Sequence, residues 1–61
     1  MKIGTRVKVV GLPDDAIVQP FLAPFLGKIG TVQTSPDISG GQWVDFDGRG
    51  GVFEARELEA L

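Results

Sequence analysis

Cysteine, histidine and tyrosine do not occur in this 61-residue chain. Without cysteine there is no disulfide to staple the fold. Without cysteine and histidine the usual zinc ligands are missing, so no metal site is expected. A nucleophilic triad also loses its usual base, which points away from an enzyme and from any cofactor-dependent chemistry. Positive charge is scarce as well. Six Lys and Arg stand against eight Asp and Glu, for a net charge of −2 and a pI near 4.7. Phosphate contacts usually need a basic surface, so this balance disfavours a nucleic-acid partner. No apolar run approaches the roughly 20 residues of a membrane span, and the start Met1-Lys2-Ile3-Gly4-Thr5-Arg6 has no signal-peptide core. No membrane association is expected, and the absence of cysteine suits the expected cytoplasmic location.

Length sets the next bound. Residues 1–61 make a single small domain. A chain this short buries only about 60% of its unfolded surface. Its stability should be roughly 3–9 kcal/mol, from about 0.05–0.15 kcal/mol per residue. It must fold on packing alone, or lean on a second copy or a partner.

Glycine and proline are plentiful, nine and four residues. Many tight turns follow, and with them an all-β fold. Residues 5–10 alternate, with Val7 and Val9 inward and Arg6 and Lys8 outward. Residues 12–27 form a long connection holding three prolines and the paired acids Asp14 and Asp15. Residues 28–34 read as a second strand, where Gly30 marks a bulge or a close backbone approach. Residues 42–47 alternate cleanly, Val44 and Phe46 on one side, Trp43 and Asp45 on the other. Asp47-Gly48-Arg49-Gly50 reads as a hairpin loop. Residues 51–54 make a fourth strand, Ala55-Arg56-Glu57 a helical or 3₁₀ turn, and residues 58–61 a last strand. Five short strands in this length suggest a small closed or nearly closed antiparallel barrel. Its expected core is Val7, Val9, Ile29, Val32, Val44, Phe46, Phe53 and Leu58.

A family pattern lies over these positions. Gly4-x-x-Val7-x-Val9, Gly27-x-x-Gly30-x-Val32, Val44-x-Phe46-Asp47, Phe53 and Glu57-Leu58 together resemble the Src-homology-3-like small barrel. The spacing is similar to the small barrel-shaped accessory protein of photosystem I, to the variable chain of ferredoxin–thioredoxin reductase, and to KOW modules. The first two resemblances imply an accessory subunit that docks on a larger protein. The third implies contact with RNA or protein. The loop over residues 12–26 is longer than the compact KOW pattern.

Candidate chemistry is thin. Ser35 and Ser39 have no partner base and read as turn residues. Asp14 and Asp15 read as solvated or capping acids. Asp45-Phe46-Asp47-Gly48 resembles the start of a calcium loop, but with Asp45 at position one, positions five and twelve are Arg49 and Arg56. Cations stand where oxygen ligands belong, so no calcium site is expected. Gly48-Arg49-Gly50-Gly51 suits a hairpin better than a phosphate cradle. Arg6, Lys8, Lys28, Arg49 and Arg56 can share a face with Trp43, which would suit an acidic protein or a single strand of nucleic acid.

The stretch Gln19-Pro20-Phe21-Leu22-Ala23-Pro24-Phe25-Leu26 carries the main functional signal. Fully burying Phe21, Leu22, Phe25 and Leu26 is worth about 1.5–3 kcal/mol each, which rivals the stability of the whole domain. Either the loop folds back to plug an open end of the barrel, or it presents an apolar patch to another subunit. Pro24 opposes a continuous helix, so broken turns are expected. The expected function is a non-enzymatic protein-binding or assembly module of the accessory-subunit type. Its partner-binding residues would be Phe21, Leu22, Phe25, Leu26, Trp43, Arg6, Lys8 and Arg49, with a protein partner or self-association. The alternative is a KOW-like nucleic-acid-binding module.

Overall fold

A computed structural model describes all residues from Met1 to Leu61. Five strands form one antiparallel sheet: β1 (Arg6–Val9), β2 (Ile29–Val32), β3 (Gln42–Phe46), β4 (Arg49–Phe53) and β5 (Leu58–Ala60). The sheet order is β4-β3-β2-β1-β5. The ladder is open, because its two edges, β4 and β5, do not pair with each other. A four-residue helix α1 (Gln19–Leu22) and a 3₁₀ turn (Ala23–Phe25) lie between β1 and β2. A second 3₁₀ turn (Ala55–Glu57) precedes β5. No helix is long and apolar enough to cross a membrane.

Alternation builds the core. Val7 and Val9, Val32, Val44 and Phe46, Phe53 and Leu58 all lie buried on one face. Ile29, expected among them, is about half exposed. Placing both Ile29 and Val32 inward requires a bulge at Gly30, and none exists: Arg6↔Thr31, Val7↔Gly30 and Lys8↔Ile29 run in unbroken register. Gly30 therefore takes the inward position. A Cβ there would lie 2.6 Å from the Asp45 carbonyl oxygen and 2.8 Å from the Phe46 ring. Close backbone approach, not a bulge, is the reason for this glycine. Leu22 supplies the eighth core side chain instead of Ile29.

The β3–β4 hairpin is tighter than the sequence suggests. Its loop is only Asp47-Gly48, both in the left-handed region at φ of 62° and 90°. That is the signature of a type I′ turn, whose twist matches the flanking strands. The Asp45 carboxylate accepts a hydrogen bond from the Gly48 N–H at 3.2 Å. Arg49 belongs to β4, opposite Phe46, not to the loop.

Local polar contacts set the connections. Asp15 Oδ1 accepts the Ile17 N–H at 2.8 Å and steers the chain into α1. Pro20 opens α1, where its missing N–H costs nothing. Pro24 has no N–H to continue the helix, so the chain tightens into the 3₁₀ turn and leaves it through Gly27 at φ 82°. These are the broken turns expected. In the second 3₁₀ turn, Glu57 Oε1 accepts the Glu54 N–H at 2.8 Å. Glu57 is buried, and its Oε2 has no hydrogen-bond partner. Gln42, at an inward position of β3, is buried too. Its Oε1 accepts from the Met1 amino group at 2.8 Å, and its Nε2 donates to the carbonyls of Met1 and Thr34.

The β2–β3 connection is pinned by Asp37. Its Oδ1 accepts from the Ser39 hydroxyl at 2.7 Å, the Gly41 N–H at 2.8 Å and the Ser39 N–H at 2.9 Å. These bonds favour the carboxylate and hold Asp37 below the ordinary range, with the Ser39 hydroxyl the largest cause. A lowered folded-state value stabilises the loop above the unfolded pKa, and that contribution is lost as pH falls through the folded value.

Gly30→Ala should destabilise the chain by about 2–3 kcal/mol in urea melts, through steric overlap with backbone and a packed ring. Gly11→Ala, whose Cβ would find nothing nearer than 3.9 Å, serves as the control. Equal stabilities for the two variants would disprove the role given to Gly30. In a carboxyl NMR titration, Asp37 should titrate below about 3.9, the ordinary Asp value. Ser39→Ala should move it upward, and an unchanged midpoint in that variant would reject the hydroxyl as the main cause.

Candidate functional site

The loop between β1 and β2 stands beside the hairpin and leaves a groove of about 830 Å³. Phe25 is what holds the loop there. Its ring stacks on Phe46 with centroids 4.5 Å apart and planes at 21°. It meets Phe53 edge-on at 6.3 Å, and Phe46 meets Phe53 edge-on at 6.0 Å. Both arrangements suit the quadrupole of aromatic rings. Leu22, one turn earlier, is buried against Gly51, whose hypothetical Cβ would lie 2.6 Å from Leu22 Cδ2.

The four apolar side chains of the loop therefore divide. Leu22 and Phe25 plug the core, Leu22 fully and Phe25 in part. Phe21 is 75% exposed and Leu26 52% exposed. Of the two roles expected for the loop, Phe21 does not take part in plugging the barrel. The reason is geometric: α1 makes only one turn before Pro24 breaks it, so Phe21 and Phe25 do not stack at helical spacing.

Phe21 forms one wall of the groove with Pro24 and Phe25. Gly27 and Lys28, Ile29 to Thr31 of β2 and Asp45 to Asp47 of the hairpin also line it, with Arg6 and Arg49. Of the predicted residues, the fold thus gathers Phe21, Phe25, Arg6 and Arg49. Leu22 is consumed by the core. Leu26, Lys8 and Trp43 are outside the groove lining. Lys8 lies two residues along β1 from Arg6, opposite Ile29 and Glu59. Trp43 sits across from Val52 on the outer face, 41% exposed, with its ring over Gly50.

Charge is uneven. Three of the six cations, Arg6, Lys28 and Arg49, line the groove, against only two of the eight acids, Asp45 and Asp47. The remainder of the chain is correspondingly acidic. Ion pairing does not quench the three cations, since the one salt bridge joins Arg56 to Glu54 at 3.5 Å, elsewhere on the surface. The groove contains one hydroxyl, Thr31, and no group with the geometry of a nucleophile and base. No cluster of three acidic or other metal-ligating side chains exists. Ile29, expected in the core, is a lining residue missed at the sequence level. Its signal is the parity of β2, once Gly30 is placed inward.

In comparisons with known proteins, no family model, no curated protein and no solved structure matches the chain.

The division of labour within the loop is directly measurable. Leu22→Ala should cost about 2–5 kcal/mol of stability, the usual range for a buried leucine. Phe25→Ala should cost roughly 2–3 kcal/mol, less than a fully buried Phe because part of its ring is open. Phe21→Ala should change stability by less than about 0.5 kcal/mol, as surface substitutions do. Equal losses at Phe21 and Phe25 in denaturant melts would overturn the division.

Proposed function

We propose that this chain is a non-enzymatic binding module of the Src-homology-3-like type that docks an acidic, apolar segment of another protein in its groove. Several features support the fold assignment. The sheet order β4-β3-β2-β1-β5, the long β1–β2 loop and the 3₁₀ turn before β5 fit such a small barrel. One core cluster takes side chains from all five strands, including β4 and β5 at opposite ends of the ladder. A sheet that curls on itself explains how both edges reach the same core.

The observation that carries the functional reading is Phe21. A large aromatic ring stands three-quarters exposed on a loop pinned by Leu22 and Phe25. Being held in place, it has little conformational freedom left to lose on binding. Aromatic and arginine side chains are the commonest binding hot spots. Here Phe21 shares a groove with Arg6 and Arg49. The cation excess selects for a negatively charged partner segment, and Phe21, Pro24 and Ile29 select for apolar side chains on it.

The test is an NMR titration against a peptide array of acidic sequences with and without an embedded aromatic residue. Shift changes should centre on Phe21, Ile29 and Arg49. Phe21→Ala should weaken the best binder about thirtyfold, equivalent to roughly 2 kcal/mol, while leaving the fold intact. Binding that maps elsewhere, or that ignores Phe21→Ala, rejects the proposal. A single-stranded oligonucleotide run in parallel separates the KOW-like reading. Three phosphate contacts would give a log–log salt slope of about −2. Binding of the oligonucleotide with that slope, and of no peptide, would favour the nucleic-acid module.

A further inference from the structure

β4 is an edge of the sheet, and its outward backbone groups have no strand partner. In a two-residue hairpin the residues flanking the loop, here Phe46 and Arg49, exchange both backbone hydrogen bonds, and bonded pairs then alternate. Val44↔Gly51 and Gln42↔Phe53 are therefore bonded pairs. Gly50 and Val52 turn their N–H and C=O groups away from β3. No turn, loop or side-chain hydrogen bond takes those groups up. Of the usual protections of an edge, β4 has only the charge of its first residue, Arg49: it holds no proline, no lysine and no bulge, and its centre is Gly50-Gly51.

We infer that β4 pairs antiparallel with β4 of a second copy of this chain, centred on Gly51, joining two sheets into one of ten strands. Only registers that set outward groups against outward groups can form bonds. Centring on Gly51 places Gly50 opposite Val52 of the second copy, twice over by symmetry, for four backbone hydrogen bonds. Side chains fit this register. Val52 is half exposed on the outer face, and Gly50 offers no side chain there. Trp43 lays its ring over Gly50. Val52 of the second copy arrives beside that ring, so two valines and two tryptophans close into one apolar cluster. Charge fits as well. The strand begins at a cation, Arg49, and is followed by an acid, Glu54, so antiparallel docking sets opposite charges near each other at both ends.

The contact is small, less than the about 1,200 Å² of stable complexes, so the dimer is weak and concentration-dependent. It shares only Arg49 with the groove lining and leaves the groove's aromatic wall free, so it does not rest on the function proposed for the groove. Sedimentation equilibrium of the full chain, from micromolar to millimolar, should show the apparent mass rising from 6.5 kDa toward twice that value. Amide exchange at Gly50 and Val52 should slow over the same range, while other exposed amides stay constant. Val52→Lys should weaken association at least tenfold. Val52→Pro should abolish it with the monomer sheet intact, because the lost N–H serves only the free edge. A mass of 6.5 kDa at every concentration overturns the inference. So does a dimer indifferent to Val52→Lys, or one formed without slowed exchange at Gly50 and Val52.

Discussion

The absence of a side chain at Gly30 lets the Phe46 ring lie against the backbone of β2. Everything distinctive in the molecule depends on that approach. With Phe46 seated there, Phe25 finds a flat partner 4.5 Å away, and Phe53 closes the cluster edge-on. In an 8-residue core each ring carries a large share of the packing. Backbone bonds such as Gly27 N–H to the Val9 carbonyl tie down only the ends of the long β1–β2 connection. The aromatic contact instead makes it part of the packing, and Leu22 follows Phe25 into the interior.

That anchoring explains the groove. A loop fastened at Leu22 and Phe25, with its helix cut short by Pro24, has no inward position left for Phe21. The same inward turn of Gly30 puts Ile29 outward beside it. Arg6 and Arg49 reach the groove from β1 and β4, so the positive lining is made of residues far apart in the chain. Stability and the candidate binding surface are thus separated by single residue steps. Leu22 and Phe25 hold the loop, and Phe21 remains free of that duty.

Much of this was legible in the sequence. Period-two alternation located Val7, Val9, Val44, Phe46 and Phe53, because a half-buried strand leaves no other reading of such runs. Asp-Gly located the hairpin, and Pro20 and Pro24 announced a broken helix. The failures have one common source. Alternation identifies faces only where both faces carry informative side chains. At Gly30 the inward side chain is missing, so Ile29 reads as inward in its stead. At Gln42 and Glu57 the inward side chain is polar, so neither reads as core. Gln42 succeeds there by satisfying its amide against Met1 and Thr34, while Glu57 satisfies one oxygen through the Glu54 N–H. The groove was legible only in part. Phe21, Phe25, Arg6 and Arg49 line it together, while Lys8 and Trp43 do not.

A molecule this small also couples its proposed function to its own stability. The proposed occupant of the groove would cover the open part of Phe25, the ring that fastens the loop to the sheet. It binds the folded chain and finds no groove in the unfolded one. At a hundredfold excess over Kd such a ligand adds about 2.7 kcal/mol, a large share of the roughly 3–9 kcal/mol open to a chain of this length. The loop would gain most, because the middle of it is fastened to the sheet by one partly covered ring and one leucine. Occupancy of the groove is therefore also a tightening of the β1–β2 connection, and the side chains that would recognise a partner lie on the segment that the partner would steady.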